Sequence, residues 1–130
     1  MVVNDPQTLA EVEALFAQYE KALVGNDVDA LDNFFWRDPR AIRYGGGENL
    51  YGFDEIAAFR AGRSSAGLER DLKRAVITTF GRDMATASTL FLRDSAPGRV
   101  GRQMQTWARM PEGWRIVAAH VSLIAQDGAG

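Results

Sequence analysis

The spacing of apolar residues changes character about halfway along the chain. In residues 5–61 apolar side chains recur every three or four positions, which is helical spacing. Residues 70–124 instead contain runs rich in β-branched and aromatic residues, separated by short segments with glycine, proline and aspartate. Helices followed by strands predict the α+β class.

Capping residues mark the ends of the predicted helices. Aspartate stands where the first two begin, and glycine stands where the first and third end. The predicted elements of this half are a helix from Asp5-Pro6 to Gly25, a helix from Asp27 to Asp38-Pro39, a strand from Ala41 to Tyr44, and a helix from about Phe53 to Ala61.

Four strands joined by three short turns are predicted for the second half, and such a series forms an antiparallel meander. They cover Arg70 to Phe80, Met84 to Arg93, Val100 to Arg109, and Trp114 to Ile124. The last strand is apolar on both faces. Strict alternation puts Trp114, Ile116 and His120 on one face, and the other face then carries Val117, Ala119, Val121 and Leu123. One face covers the helices and the other must avoid water, so a homodimer through the sheet is predicted.

Composition excludes several classes of function. The chain has 130 residues, which suits a single domain over residues 1–130, and its net charge of −2 with no basic block argues against nucleic acid as a partner. Without cysteine, thiolate chemistry is excluded, and the lone His120 rules out a multi-histidine metal site. No metal, nucleotide or flavin is indicated.

Neither a membrane span nor a signal peptide is expected. No apolar run approaches the length needed to cross a bilayer, and the first residues lack both a basic head and a long apolar stretch. A cytoplasmic location is the default expectation.

The segment from Ala41 to Gly52 is the most informative part of the chain. An apolar lead-in ends at Arg43, and the glycines at 45–47 then let the backbone turn sharply and approach another group closely. The planar guanidinium matches a carboxylate, so the segment suggests a small pocket for an anion. A glycine-rich hairpin with a surface arginine is the alternative. If Arg43 is buried, its partner is either Glu48 or a bound carboxylate.

Tyr19 lies on the apolar face of the first helix, at helical spacing from Val12, Phe16 and Leu23. A buried tyrosine needs a partner for its hydroxyl. A core tyrosine bonded to a backbone carbonyl and a proton donor facing a cavity both fit this position.

The other candidates surround these two residues. Tyr44, Glu48, Asn49 and Tyr51 would form a polar rim beside the glycines, with turn chemistry as the alternative. Arg102 could line a cavity or a solvated strand face, and His120 could be a ligand or a satisfied core residue. Arg60 and Arg63 are expected on the solvated surface.

The final strand, Trp114-Arg-Ile-Val-Ala-Ala-His-Val-Ser122, with helices first and a meander after, resembles the nuclear transport factor 2-like superfamily, which includes SnoaL-like proteins. Its fold is a cone in which three helices close the concave side of a strongly curved sheet around a pocket. A narrower likeness is to its AtzH-like branch. The matching stretches are Tyr19-Glu-Lys-Ala-Leu, Asn26-Asp27, Phe35-Trp36, Arg43-Tyr-Gly, Glu48-Asn-Leu-Tyr-Gly52, Phe59-Arg60, Gly81-Arg82, Gly101-Arg-Gln103, and Trp107 to Ser122.

This resemblance implies an activity. The AtzH-like branch is associated with cyanuric acid and ureide catabolism, and its characterised reaction converts 1,3-dicarboxyurea to urea-1-carboxylate (allophanate) without metal or organic cofactor. Its essential tyrosine and arginine correspond to Tyr19 and Arg43 here, which would act as proton donor and carboxylate anchor. The partners implied are a small anionic substrate and, functionally, an amidohydrolase.

Two other functions stay open at this point. An isomerase or dehydratase of the same fold would use a base inside the cone, for which His120 and the loop residues Glu48 and Asp54 are the candidates. His120 paired with an acid in the cavity would favour this function. A non-catalytic accessory module of an amidohydrolase would have a filled cone without a cavity at Tyr19.

Overall fold

A computed structural model describes residues 1–126, which form three helices and six strands. In chain order the elements are α1 (Pro6–Val24), α2 (Val28–Phe34), β1 (Ile42–Tyr44), β2 (Asn49–Tyr51), α3 (Phe53–Ala61), β3 (Asp71–Phe80), β4 (Met84–Leu92), β5 (Arg99–Met110) and β6 (Gly113–Ala125). The predicted α+β class is confirmed. None of the helices in residues 1–126 combines the length and apolar character needed to cross a membrane.

The predicted helix caps are confirmed. The Asp5 carboxylate accepts hydrogen bonds from the backbone N–H of Thr8 at 3.1 Å and from its hydroxyl at 2.8 Å. Asp27 accepts from the N–H of Ala30 at 3.2 Å, and Gly25 is the C-cap of α1. Short-range hydrogen bonding therefore sets these ends, which is why they are readable from sequence.

The second helix is shorter than predicted. It ends at Phe34, because Phe35 is extended (φ −92°, ψ 145°) and forms a parallel bridge with Ile116. The Phe35 side chain is fully buried. Burial of this ring against the sheet ends the helix before the Asp38-Pro39 stop signal is reached.

All six strands form one sheet in the order β2-β1-β6-β5-β4-β3. The predicted antiparallel meander accounts for β3 to β6. Two features were not predicted: β1 pairs with β6 in parallel, and β2 adds an antiparallel strand outside β1. Because β2 has only three residues, with the first and last exposed, it carries too little pattern to be recognised as a strand.

A bulge in β6 changes which residues face the helices. Thr106 pairs with Ala118 but Trp107 pairs with Ile116, so Val117 is an extra residue in the ladder. Trp114 and Ile116 are therefore buried on the concave face, whereas His120 is exposed on the outer, convex face. The predicted alignment of His120 with Trp114 and Ile116 on one face is wrong, because strict alternation fails at a bulge.

The helices cover the concave face of the sheet, where Trp107 and Ile116 are fully buried beside Phe16 and Val12 of α1. A second bulge, at Arg74 (φ 53°), interrupts β3 between Lys73 and Val76. Bulges bend strands and increase their twist, which helps a sheet to curve around the helices.

Arg60 joins two helices and is not at the surface as predicted. Its side chain is 4% exposed, and its guanidinium donates to the Asp32 carboxylate at 2.6 Å while lying over the Phe35 ring. An ion pair supplies the partner that a buried charge requires. This pair connects α3 to α2 beside the core.

Gly101 in β5 pairs directly with Phe91 in β4, and the Phe91 ring lies where a side chain at position 101 would be. A Cβ at position 101 would lie 2.1 Å from that ring, so Gly101→Ala must displace it. We expect Gly101→Ala to lower the free energy of unfolding by about 1–3 kcal/mol, measured by urea denaturation. Gly47→Ala is the control, because its Cβ would meet nothing within 4 Å. Equal unfolding midpoints for both variants would contradict this packing role.

Candidate functional site

A cavity of about 160 Å³ lies between the helices and the concave face of the sheet. Its volume corresponds to roughly five water molecules at about 30 Å³ each, so it suits a small ligand. The walls combine apolar side chains with arginines: Tyr19, Leu23, Arg43, Gly46, Glu48, Phe59, Arg63, Leu68, Arg70, Phe91, Arg93, Gln103 and Val121. Tyr19 and Arg43, which the sequence analysis singled out, both line it.

Tyr19 reaches the cavity from α1. Its side chain is 5% exposed, and its ring packs edge-on against Phe34 with centroids 5.8 Å apart. The hydrogen bonds that the side chains of the cavity residues make within residues 1–126 involve Arg43, Glu48, Arg63, Arg70 and Gln103, and none involves the Tyr19 side chain. The ring is therefore held by packing, while the hydroxyl has no partner in the described part of the chain and can serve a ligand.

Arg43 extends from β1, and its side chain is 12% exposed. Its Nη1 donates to Glu48 Oε1 at 2.9 Å, and its guanidinium lies 5.4 Å from the Phe59 ring centroid. Glu48 is thus the carboxylate partner in this ligand-free structure. The bond engages Nη1 alone, so the other donors of Arg43 remain available to a second carboxylate.

Of the three glycines at 45–47, only Gly45 has to lack a side chain for the ion pair between Arg43 and Glu48 to form. A Cβ on Gly45 would lie 1.7 Å from Glu48 Oε1, whereas a Cβ on Gly46 or Gly47 would meet nothing within 4 Å. The Glu48 carboxylate also accepts the backbone N–H of Gly47 at 3.1 Å. The loop therefore orients Arg43 before any ligand arrives, which reduces the ordering cost of binding.

Three further arginines line the cavity, and sequence reasoning missed them as site residues. Arg63 follows α3, Arg70 precedes β3, and Arg93 follows β4. Like Arg43, each stands near the end of an element. That shared position is a weak signal, because nothing in the sequence indicates that these ends meet.

Arg70 is held by other side chains of the protein. Its Nε donates to Glu20 at 2.8 Å, a second bond joins Nη2 to the same carboxylate, and Nη2 also donates to Gln103 Oε1 at 3.0 Å. The guanidinium stacks on Phe91 at 4.4 Å from the ring centroid. Arg70 therefore acts as a structural element of the wall that positions Gln103.

Several buried N–H donors in the wall have no acceptor. Among the described residues, Arg63 Nε, Arg93 Nε and Gln103 Nε2 are buried without a hydrogen bond. An unsatisfied buried donor costs about 1–3 kcal/mol, and more when it is charged.

Burial and the nearby charges of Arg60, Arg43 and Arg93 lower the pKa of the Arg63 guanidinium, although Tyr19 opposes this shift. Burial and the charge of Arg70 lower the pKa of Arg93.

Most of the predicted rim lies elsewhere. The Tyr44 and Tyr51 hydroxyls bond each other at 2.9 Å outside the cavity, and the ring of exposed His120 packs edge-on against Tyr44. Arg102 is exposed on the convex face, where it donates to Ser122 at 3.2 Å, and Asn49 is exposed in β2. Of the predicted site residues, Glu48 joins Tyr19 and Arg43 in the cavity wall. The predicted residues that do not line the cavity are Tyr44, Asn49, Tyr51, Arg102 and His120. Arg102 faces away from the cavity because side chains alternate along β5, and His120 does so because of the bulge in β6.

A larger depression of about 620 Å³ opens beside β2 and the start of α3. Its lining includes Tyr51, Asp54 and Glu55, but neither Tyr19 nor Arg43. We place the candidate site in the smaller cavity, because its buried unsatisfied donors require an acceptor.

The architecture defines the class of protein. Three helices over the concave face of a curved, mostly antiparallel six-stranded sheet, enclosing a pocket, are characteristic of nuclear transport factor 2-like proteins with a cystatin-like fold. Within this class, the chain belongs to the AtzH-like family, whose model matches residues 1–127. The fold and family expected from the sequence are thereby confirmed. No curated protein matches the chain.

Solved structures agree with this assignment. The chain is 62% identical to a protein of unknown function of the DUF3225 family from Pectobacterium atrosepticum, with a TM-score of 0.92 and 95% of each chain covered. It is 51% identical to a cystatin-like fold protein from Burkholderia xenovorans, with a TM-score of 0.92 over 96% of this chain and 98% of that one. A Salmonella enterica protein of the superfamily shares the fold at 24% identity, with a TM-score of 0.73 over 95% of this chain and 96% of that one.

Proposed function

We propose that this protein is a cofactor-independent decarboxylase that converts 1,3-dicarboxyurea to urea-1-carboxylate in cyanuric acid or ureide catabolism. One observation carries the proposal. Tyr19, whose phenol has no partner within residues 1–126, and Arg43, whose guanidinium has further donors available, line the same small cationic cavity. Membership of the AtzH-like family supports it, because the family resemblance implies this reaction.

In the proposed reaction Tyr19 supplies the proton. The phenol protonates the carbamate nitrogen, and the bond between that nitrogen and the carboxylate carbon breaks. The electron pair of this bond is retained by nitrogen, and the carboxylate leaves as neutral carbon dioxide. Water then returns a proton to the tyrosinate, so the net change is one proton consumed and one carbon dioxide released. A positioned general acid contributes typically 10²–10⁴-fold to such a step.

Arg43 would anchor a substrate carboxylate and orient the adjacent nitrogen toward the phenol. A planar fork of donors fixes both distance and angle, which a point charge does not. Apolar side chains on the same walls, Leu23, Phe59, Leu68 and Val121, exclude water from the reacting group. A carboxylate that loses hydration is closer in energy to uncharged carbon dioxide.

The alternatives have less support. At about 160 Å³ the cavity is smaller than the roughly 300–1,000 Å³ pockets that hold drug-sized ligands, so a large isomerase substrate does not fit well. None of the candidate bases of an isomerase is well placed. His120 is exposed on the convex face, Asp54 lines the depression beside β2, and Glu48 is paired with Arg43. An accessory module without chemistry offers no reason for unpaired buried arginine donors.

The test is carbon dioxide release by the purified protein. Freshly prepared 1,3-dicarboxyurea and a panel of other N-carboxylated ureas and ureides would be compared with the same compounds in buffer alone. We expect saturable release well above the uncatalysed background, with 1,3-dicarboxyurea as the best substrate. Rates equal to the background for the whole panel would overturn the proposal.

We also propose that the convex face of the sheet forms a homodimer interface. Four large apolar side chains are exposed there: Val76 (56%), Met84 (43%), Met104 (59%) and Ile124 (40%). We expect light scattering to give twice the chain mass for the wild type and a monomer for Met104→Glu, because a buried unpaired charge is costly. Glu13→Gln is the control, because Glu13 is an exposed residue of α1 and not of the sheet. A monomeric wild type would contradict this proposal.

A further inference from the structure

The four arginines of the cavity differ in whether the protein neutralises them. Arg43 has Glu48 as its carboxylate partner, and Arg70 has Glu20. Within residues 1–126 no carboxylate forms an ion pair with Arg63 or Arg93. The uncompensated positive charge of the cavity therefore resides on Arg63 and Arg93, and not on Arg43.

Hydrogen bonding singles out the same two residues together with Gln103. Among the described residues, the Arg63 guanidinium bonds only the neutral Asn26 side chain, at 3.2 Å, and its Nε is buried and unbonded. Arg93 stacks on the Phe91 ring at 5.1 Å, with its Nε also buried and unbonded. Gln103 is 2% exposed, and because its oxygen accepts from Arg70, its unbonded Nε2 is left to donate elsewhere. In the part of the chain that the structure describes, these groups lack an acceptor that carries negative charge.

We propose that Arg63, Arg93 and Gln103 form a second carboxylate subsite, which holds the part of the substrate that is not lost and makes the cavity selective for dicarboxylates. The existence of the subsite follows from these contacts, whereas the identity of the retained carboxylate rests on the proposed function.

Electrostatics indicates which carboxylate belongs in which subsite. A departing carboxylate becomes neutral carbon dioxide, so uncompensated positive charge beside it stabilises the reactant more than the transition state. Glu48 already offsets the charge of Arg43, so that anchor orients the leaving carboxylate at little electrostatic cost. The retained carboxylate keeps its charge throughout, and can therefore lie against Arg63 and Arg93 without raising the barrier.

Binding of stable analogues tests the subsite without turnover. Glutarate has three atoms between its carboxyl carbons, as 1,3-dicarboxyurea has, and pentanoate replaces one carboxylate by a methyl group. We expect calorimetry to show glutarate binding the wild type at least about ten-fold more tightly than pentanoate. Arg63→Gln and Arg93→Gln should each lose most of this preference while binding pentanoate as the wild type does.

Arg82→Gln is the matched control, since it removes the same charge from an exposed position outside the cavity. Far-ultraviolet circular dichroism and unfolding midpoints would show that all variants fold. Equal affinity of the wild type for both ligands, undetectable glutarate binding, or an undiminished preference in folded Arg63→Gln and Arg93→Gln would each overturn the subsite. A dicarboxylate preference without carbon dioxide release would instead overturn only the decarboxylase proposal.

Discussion

Replacing Tyr19 with phenylalanine is expected to slow carbon dioxide release by roughly 10²–10⁴-fold, because the change removes only the proposed proton donor. The ring contact with Phe34 does not depend on the hydroxyl, so the fold and the cavity walls should persist. Substrate affinity should stay close to that of the wild type, since the arginines supply the anchoring charge. The measurement is kcat for 1,3-dicarboxyurea together with glutarate affinity.

Tyr44→Phe provides the matched control for this prediction. It removes the same atom from a tyrosine whose hydroxyl bonds Tyr51 outside the cavity, and it should leave kcat unchanged. A Tyr19→Phe enzyme with nearly normal turnover would discard the general-acid role. The proton would then have to come from another group or from water.

Arg43→Lys is expected to lower both affinity and rate, with a combined fall in kcat/KM of about 10–100-fold. Lysine keeps the positive charge that Glu48 pairs with, but it replaces a planar fork of donors by a single ammonium group. The substrate carboxylate would then be held less tightly and in a less defined orientation. Steady-state kinetics measures both effects.

Arg102→Lys controls for the same change on the convex face, where the exposed Arg102 side chain contacts Ser122. It should leave kcat/KM as in the wild type. If Arg43→Lys also left kcat and KM unchanged, a positive charge alone would be enough to anchor the substrate carboxylate. The proposed two-pronged contact would then be contradicted.

Together these variants assign separate roles to two groups of cavity residues. Tyr19 and Arg43 would act on the group that leaves, and Arg63, Arg93 and Gln103 on the group that stays. Glu48 distinguishes the two roles, because it neutralises Arg43, whereas no ion pair within residues 1–126 neutralises Arg63 or Arg93. This asymmetry gives a symmetric substrate two different environments.

Local signals explain how much of the fold was predictable. Asp5 and Asp27 cap their helices through bonds to residues three positions away, so their effect is contained in a few neighbouring letters. The meander of β3 to β6 is likewise connected by short turns. By contrast, β1 pairs with β6, more than 70 positions later, and no local pattern encodes that pairing.

The sequence by itself determined the α+β class, the helix caps at Asp5, Gly25 and Asp27, and the two residues, Tyr19 and Arg43, proposed to carry the chemistry. Only the tertiary structure decided that Arg63, Arg70 and Arg93 join them and that His120 does not. The physical reason is that one extra residue in β6 reverses the faces of the strand, and that charges from separate element ends become neighbours only when the sheet curves.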